Sequence, residues 1–150
     1  MGKFILIAIL AFAAGFFFFT RQAAPKEELS GPSLSIKGNV LEVEVMKTQE
    51  EQIRGLSGRE LLAENTGMLF VYDKPVIPGF WMKDMNFSID IIWIGEDRSI
   101  VDITENLAPE TYPITFSPAS PVQYVLEVNA GWAQEHSIEI GDSIEFDGIF

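Results

Sequence analysis

The chain of 150 residues contains no cysteine and a single histidine, His136. The missing cysteines exclude a disulfide framework, thiol chemistry and a lipidated-Cys anchor. With one histidine, a Ser-His-Asp or Cys-His centre is poorly supported, and a zinc site built from several His or Cys side chains is excluded. His136 itself falls near the end of a short predicted helix, where the helix dipole accounts for it. Basic residues are scarce as well: ten Lys and Arg face twenty-two Asp and Glu, a formal net charge of −12. All twenty-two acidic residues lie beyond Arg21, against eight basic ones, so the part after Arg21 carries a formal charge near −14. Such a surface repels polyphosphate backbones and anionic headgroups, which argues against a nucleic-acid partner. No cofactor or metal site is expected.

One long apolar run is present. Phe4 to Phe19, FILIAILAFAAGFFFF, is flanked by Lys3 and by Thr20-Arg21. At about 1.5 Å per residue it is marginal for a hydrocarbon core of roughly 30 Å. A cleavable signal is the rival reading, but the small-x-small pattern at the polar end is poor, with a large residue first in both Gln22-Ala23-Ala24 and Arg21-Gln22-Ala23. The expectation is an anchor over residues 1–21, a polar linker over 22–32, and a domain over 33–150. The domain is placed outside the cytoplasmic membrane, with a secreted or periplasmic form after cleavage as the alternative.

Within the domain the hydrophobic period is mostly two. Leu34 and Ile36, then Leu41, Val43 and Val45, alternate with polar residues around Gly38-Asn39, which reads as a β-hairpin turn. From Lys47 to Ala63 the period changes; Thr48 and Glu51 form a capping box, Ile53 and Leu56 share a predicted helical face, and Gly55 and Gly58 limit or split the helix. Gly67 to Tyr72 reads as a strand ended by Asp73-Lys74-Pro75. Ile89 to Ile94 pairs with Arg98 to Thr104 across Gly95-Glu96-Asp97, and Glu105 to Ser120 reads as a long loop. Val122 to Val128 is a strand, Ala130 to His136 a short helix, and Ser137 to Phe146 a strand interrupted at Gly141-Asp142. The expected fold is mainly β (α+β): a compact antiparallel barrel or sandwich with two short helices, plus the N-terminal hydrophobic helix.

Three groups of residues invite functional readings. In SIDIIWI both strand faces are apolar, so Asp90 points into protein, where a carboxylate must be hydrogen-bonded, paired or functional. Glu127 in VQYVLEV is similar. Facing one another, the two could act as acid and base in glycan hydrolysis, which requires roughly 5 to 9.5 Å between them in a cleft. The structural alternative pairs each with Arg54, Arg59 or Lys83, or with backbone N–H groups. Phe80, Trp81, Met82 and Lys83 alternate so that Trp81 and Lys83 share a side, which suits either a stacking platform or core packing with a surface Lys.

In order along the chain, Arg54-Gly55-Leu56, Arg59 and Leu61, Gly67-Met68-Leu69-Phe70, Phe80-Trp81-Met82-Lys83, Ile89-Asp90, Tyr124-Val125-Leu126-Glu127 and Gly141-Asp142 resemble the domain of unknown function 192 (DUF192, UPF0127). The likeness runs from about Leu41 to Phe146. It implies a compact, mainly β fold and an envelope location in a prokaryote, and it supplies no reaction. Ser57, Asp84-Met85 and Phe87-Ser88-Ile89 stand where that pattern usually has Met, Asn-Thr and Ile-Pro-Leu. The resulting expectation is a non-catalytic module that binds an envelope ligand or protein. Its site residues would be Arg54, Arg59, Trp81 and Lys83, with Asp90 and Glu127 orienting the arginines. The glycan hydrolase and a purely structural envelope protein are the alternatives.

Overall fold

The computed structural model describes residues 31–150; the expected anchor and most of the linker lie outside the described residues. Seven strands form one sheet: β1 (Ser33–Ile36), β2 (Asn39–Met46), β3 (Thr66–Val76), β4 (Ile89–Ile94), β5 (Ile100–Leu107), β6 (Val122–Asn129) and β7 (Ile144–Asp147). Their spatial order is β5-β4-β6-β3-β2-β1-β7. Two short helices accompany them, α1 (Gln49–Arg54) and α2 (Trp132–Glu135). The sheet curls until its outer strands meet at one corner. There Ile100 donates its N–H to Asp142 O at 2.9 Å and Ile144 donates to Arg98 O at 2.9 Å. The result is a half-barrel built from one sheet rather than a sandwich of two.

The sheet is not wholly antiparallel, because β2 and β3 run parallel from Glu42↔Thr66 to Met46↔Phe70. A parallel pair needs a long crossover, and the connection between Met46 and Thr66 provides it, carrying α1. Gly67 sits where β3 approaches β6: an added Cβ would stand 2.9 Å from Leu126 Cδ1 and 3.1 Å from Glu127 O. The hairpin turn is Lys37-Gly38, one residue earlier than expected. Both residues have positive φ, 52° and 82°, as a two-residue primed turn requires.

The capping box is present: the Thr48 side chain accepts from Glu51 N–H, and the Glu51 carboxylate accepts from Thr48 N–H at 2.9 Å. The helix has no second segment, since it ends at Arg54 and Gly55 takes φ +48°. Ile53 is 70% exposed, against the expected shared face with Leu56. The reason is Gln52, whose amide donates to Val71 O at 3.0 Å and Met46 O at 3.3 Å and so turns its own side of α1 to the sheet. Asp73-Lys74-Pro75 does not end β3, which passes through an irregularity and pairs Val76 with Val122. The last strand starts only at Ile144; the residues before it form the corner where the sheet edges meet.

All six residues of β4 are buried, as apolar faces on both sides require. Ile92 and Ile94 join Leu34, Leu41, Leu126, Val128 and Trp132 in one core, while Ile89, Ile91 and Trp93 join Met68, Phe70, Met82, Leu107 and Val125 in the other. Loops cover the second core on the outer face of the sheet, and the cavity described below lies under them.

Candidate functional site

Strand register separates the two buried carboxylates. Asp90 is opposite Val128 and Ile91 is opposite Glu127. Directly paired residues share a face and successive residues alternate, so Asp90 and Glu127 project from opposite faces of the sheet. They cannot flank one scissile bond, and the acid–base hydrolase reading fails on this register. Asp90 is fully buried and, contrary to expectation, meets no arginine. Its Oδ1 accepts the Asn106 N–H at 2.8 Å and its Oδ2 accepts the Ala133 N–H at 3.0 Å. It thereby fastens β4 to the β5 bulge and to the first turn of α2, which makes it a structural carboxylate.

Glu127 faces the second core. Across the sheet, Glu44, Met68, Glu127 and Ile91 form one row on that face. Above the row lies a cavity of about 220 Å³ whose lining includes Gln52, Phe70, Tyr72, Phe80, Trp81 and Glu127. Three pieces of chain build it. β3 and β6 form the floor. Helix α1 supplies one wall, held by Gln52, and the loop after it turns Leu56 inward to 2% exposure. The opposite wall is the segment from Gly79 to Met85, joined to the Gly55–Arg59 turn by Gly58 N–H donating to Asp84 O at 2.8 Å and Ser57 Oγ donating to Lys83 O at 2.9 Å. Asn86 Nδ2 adds a bond to Arg59 O at 2.8 Å. Thus two sequence motifs far apart in the chain share one rim.

The walls are aromatic. Phe80 packs edge-on against Phe70 at 4.9 Å and against Trp93 at 5.4 Å. The alternation read from the sequence holds, with Met82 2% exposed and Trp81 53% exposed; Trp81 therefore stands at the rim, beside Tyr112 at a ring separation of 6.4 Å, instead of joining the core.

At the floor, Glu127 is 6% exposed, and its Oε2 is fully buried with no hydrogen-bond partner. Burial pushes its carboxyl up to about 8, and the opposing pull of the Arg59 charge is smaller. The Tyr72 phenol is pushed up to about 12, by burial first and the nearby Glu127 charge second. Arg59 does not reach Glu127; it makes a bidentate pair with Glu44, one arm at 2.7 Å, and this hydrogen bond holds the Glu44 carboxyl below its ordinary value. Of the expected site residues, Arg54, Trp81 and Glu127 line the cavity together, with Arg54 exposed at its mouth. Arg59, Lys83 and Asp90 are not among its lining residues. The cavity offers one buried carboxyl, one exposed guanidinium and aromatic faces, a set suited to binding.

The model of the DUF192 family, described as an uncharacterized ACR, matches residues 33–146. The chain belongs to the DUF192 family. Among solved structures, this DUF192 domain is similar to a protein of unknown function from Novosphingobium aromaticivorans, 32% identical with a TM-score of 0.72, covering 75% of this chain and 83% of that one. It is also similar to a candidate transcription regulator from Sinorhizobium meliloti, 31% identical with a TM-score of 0.71, covering 78% of this chain and 92% of that one. No curated protein gives a match.

Two of the departures from the usual DUF192 pattern fall on the cavity walls. Ser57 bonds the opposite loop and Met85 lines the cavity, while Asp84 adopts φ +55° and accepts the Gly58 bond through its carbonyl. Sequence reasoning missed Gln52, Phe70, Tyr72 and Met85 as lining residues of the cavity. Tyr72 carried a usable signal: it lies two residues beyond Phe70 on the strand and so shares its face.

Proposed function

We propose that this protein is a non-catalytic small-molecule-binding module whose site is the aromatic-walled cavity over Glu127. The observation that carries the reading is Glu127 Oε2. A carboxyl oxygen buried without a donor is costly, and such orphans mark places where a partner arrives from outside the fold. Phe70, Phe80 and Trp81 supply apolar faces for the body of a ligand, and the single polar group at depth supplies orientation. The paired loops at the rim hold this arrangement in place.

The location belongs to the same proposal. The Phe4–Phe19 run supports tethering to the cytoplasmic membrane with the domain on the extracytoplasmic side, where an envelope ligand would be met. Protease accessibility of the full-length chain in intact cells checks it; protection from protease added outside would contradict it. The regulator description of the Sinorhizobium protein fits ligand sensing, whereas the net charge of −12 argues against direct contact with DNA phosphates by this chain.

The binding reading is tested by a fragment library followed through chemical shifts of the full-length protein. Saturable shifts clustered on Gln52, Phe80, Trp81 and Glu127, and weakened at least tenfold in Trp81→Ala, are expected. Shifts that never cluster there, across cationic, neutral and anionic fragments, would contradict it.

A further inference from the structure

We propose that the ligand class of this cavity is a primary ammonium carried on a single apolar or aromatic ring, its N–H groups donating to the Glu127 carboxylate. The inference rests on the reading of the cavity as a ligand site and adds the chemistry of the occupant.

Four observations point the same way. Oε2 lacks a donor, and an ammonium group brings three. Phe70, Tyr72, Phe80 and Trp81 line the cavity, and a cation over an aromatic face is attracted by the ring quadrupole. The volume, about 220 Å³, exceeds the roughly 150 Å³ that accommodates a benzene ring, leaving room for a ring and one short arm. The whole chain, at −12, raises the local concentration of small cations over anions. Arg54 opposes this only at the mouth, where it is exposed to water on the last turn of α1. An anion held by Arg54 would leave Oε2 unpaired and stand near a carboxyl.

Charge state gives the proposal a second handle. With its carboxyl pushed up to about 8, Glu127 is mostly protonated at neutral pH and must ionise to hold an ammonium, so binding releases a proton. The charged or titratable groups on that face are Tyr72 on β3, pushed up to about 12, the Glu44 carboxyl on β2, held below its ordinary value by Arg59, and the guanidiniums of Arg59 and, at the mouth, Arg54. The affinity for an ammonium therefore rises toward tenfold per pH unit below pH 8. It levels off above that, and falls once the amine itself loses its proton.

The test is calorimetry of the full-length protein with benzylamine, benzyl alcohol and benzoate, which share one ring and differ in charge. Benzylamine binding at least tenfold tighter than either at pH 8, with proton uptake by the buffer, is expected. Glu127→Gln should abolish that preference, and Trp81→Ala, at a half-exposed position that does not threaten the fold, should weaken benzylamine alone or most. If benzyl alcohol or benzoate binds as tightly as benzylamine, the ammonium assignment is overturned while the cavity remains a ligand site. If none of the three binds, the assignment falls as well, and the chemical-shift screen then decides whether the cavity reading falls with it.

Discussion

Asp90 and Glu127 sit on neighbouring strands, and their oxygens meet different surroundings. Both oxygens of Asp90 accept backbone N–H groups inside the protein. In Asp90→Asn one of these donors must face an NH₂ group, and a buried donor left unpaired costs on the order of 3 kcal/mol when the lost acceptor was charged. A denaturant midpoint lowered by that amount is expected, and an unchanged midpoint would remove the anchor role. Glu127→Gln behaves differently. Near pH 4, where the carboxyl is mostly neutral in the folded and the unfolded chain alike, the amide should alter stability by less than about 1 kcal/mol. The sign of the pH dependence follows from a folded value of about 8 against an ordinary value of 4.5. Between these the native state holds the proton that the unfolded chain releases, so stability falls as pH rises from about 5 to 8, by roughly 4 to 5 kcal/mol for this group. Unfolding free energies of wild type and Glu127→Gln across that range should diverge accordingly; parallel curves would show that the carboxyl is hydrated or paired. Arg59 and Glu44 form a mostly exposed pair, and Arg59→Ala should cost no more than about 1 kcal/mol.

At the scale of elements, the local signals were the legible ones. The Thr48-Glu51 capping box could be read directly because both partners lie within one turn. Thr48→Ala should cost about 1 kcal/mol and loosen the cavity wall that α1 forms, seen as faster amide exchange in Gln52 to Leu56. The alternation of Phe80, Trp81, Met82 and Lys83 was legible too, but its period could not say that Trp81 stands at a rim instead of in a core. The parallel pairing of β2 with β3 left no mark on either strand, since the crossover is a property of the whole chain. The same holds for the opposed directions of Asp90 and Glu127: each strand showed a buried carboxylate, but only the register between strands fixes their faces. Likewise the outward turn of Ile53 follows from two bonds that Gln52 makes to strands, invisible in the helical period. Gly67 had the look of an ordinary strand start. With 3.1 Å between an added Cβ and the Glu127 carbonyl, Gly67→Ala should push β3 from β6 and cost roughly 1 to 3 kcal/mol in thermal or denaturant unfolding.

Across the described residues, one curled sheet separates two cores, and the proposed site lies in the outer one. The inner core takes α2 and closes through the contact of β5 with the residues before β7; its one buried carboxylate, Asp90, is used to fasten those parts. The outer core is covered by loops instead of by a second sheet, and loops joined at a rim can leave a cavity where a sheet would fill it. That cavity is lined by Glu127, whose Oε2 no group of the described residues satisfies. The measurement that tests this account most directly is the titration of the Glu127 side-chain carboxyl by carbon NMR in the full-length protein, free and saturated with benzylamine. A midpoint near 8 in the free protein, moving downward when the amine binds, is the expected result. An ordinary midpoint near 4.5 that no ligand shifts would contradict it.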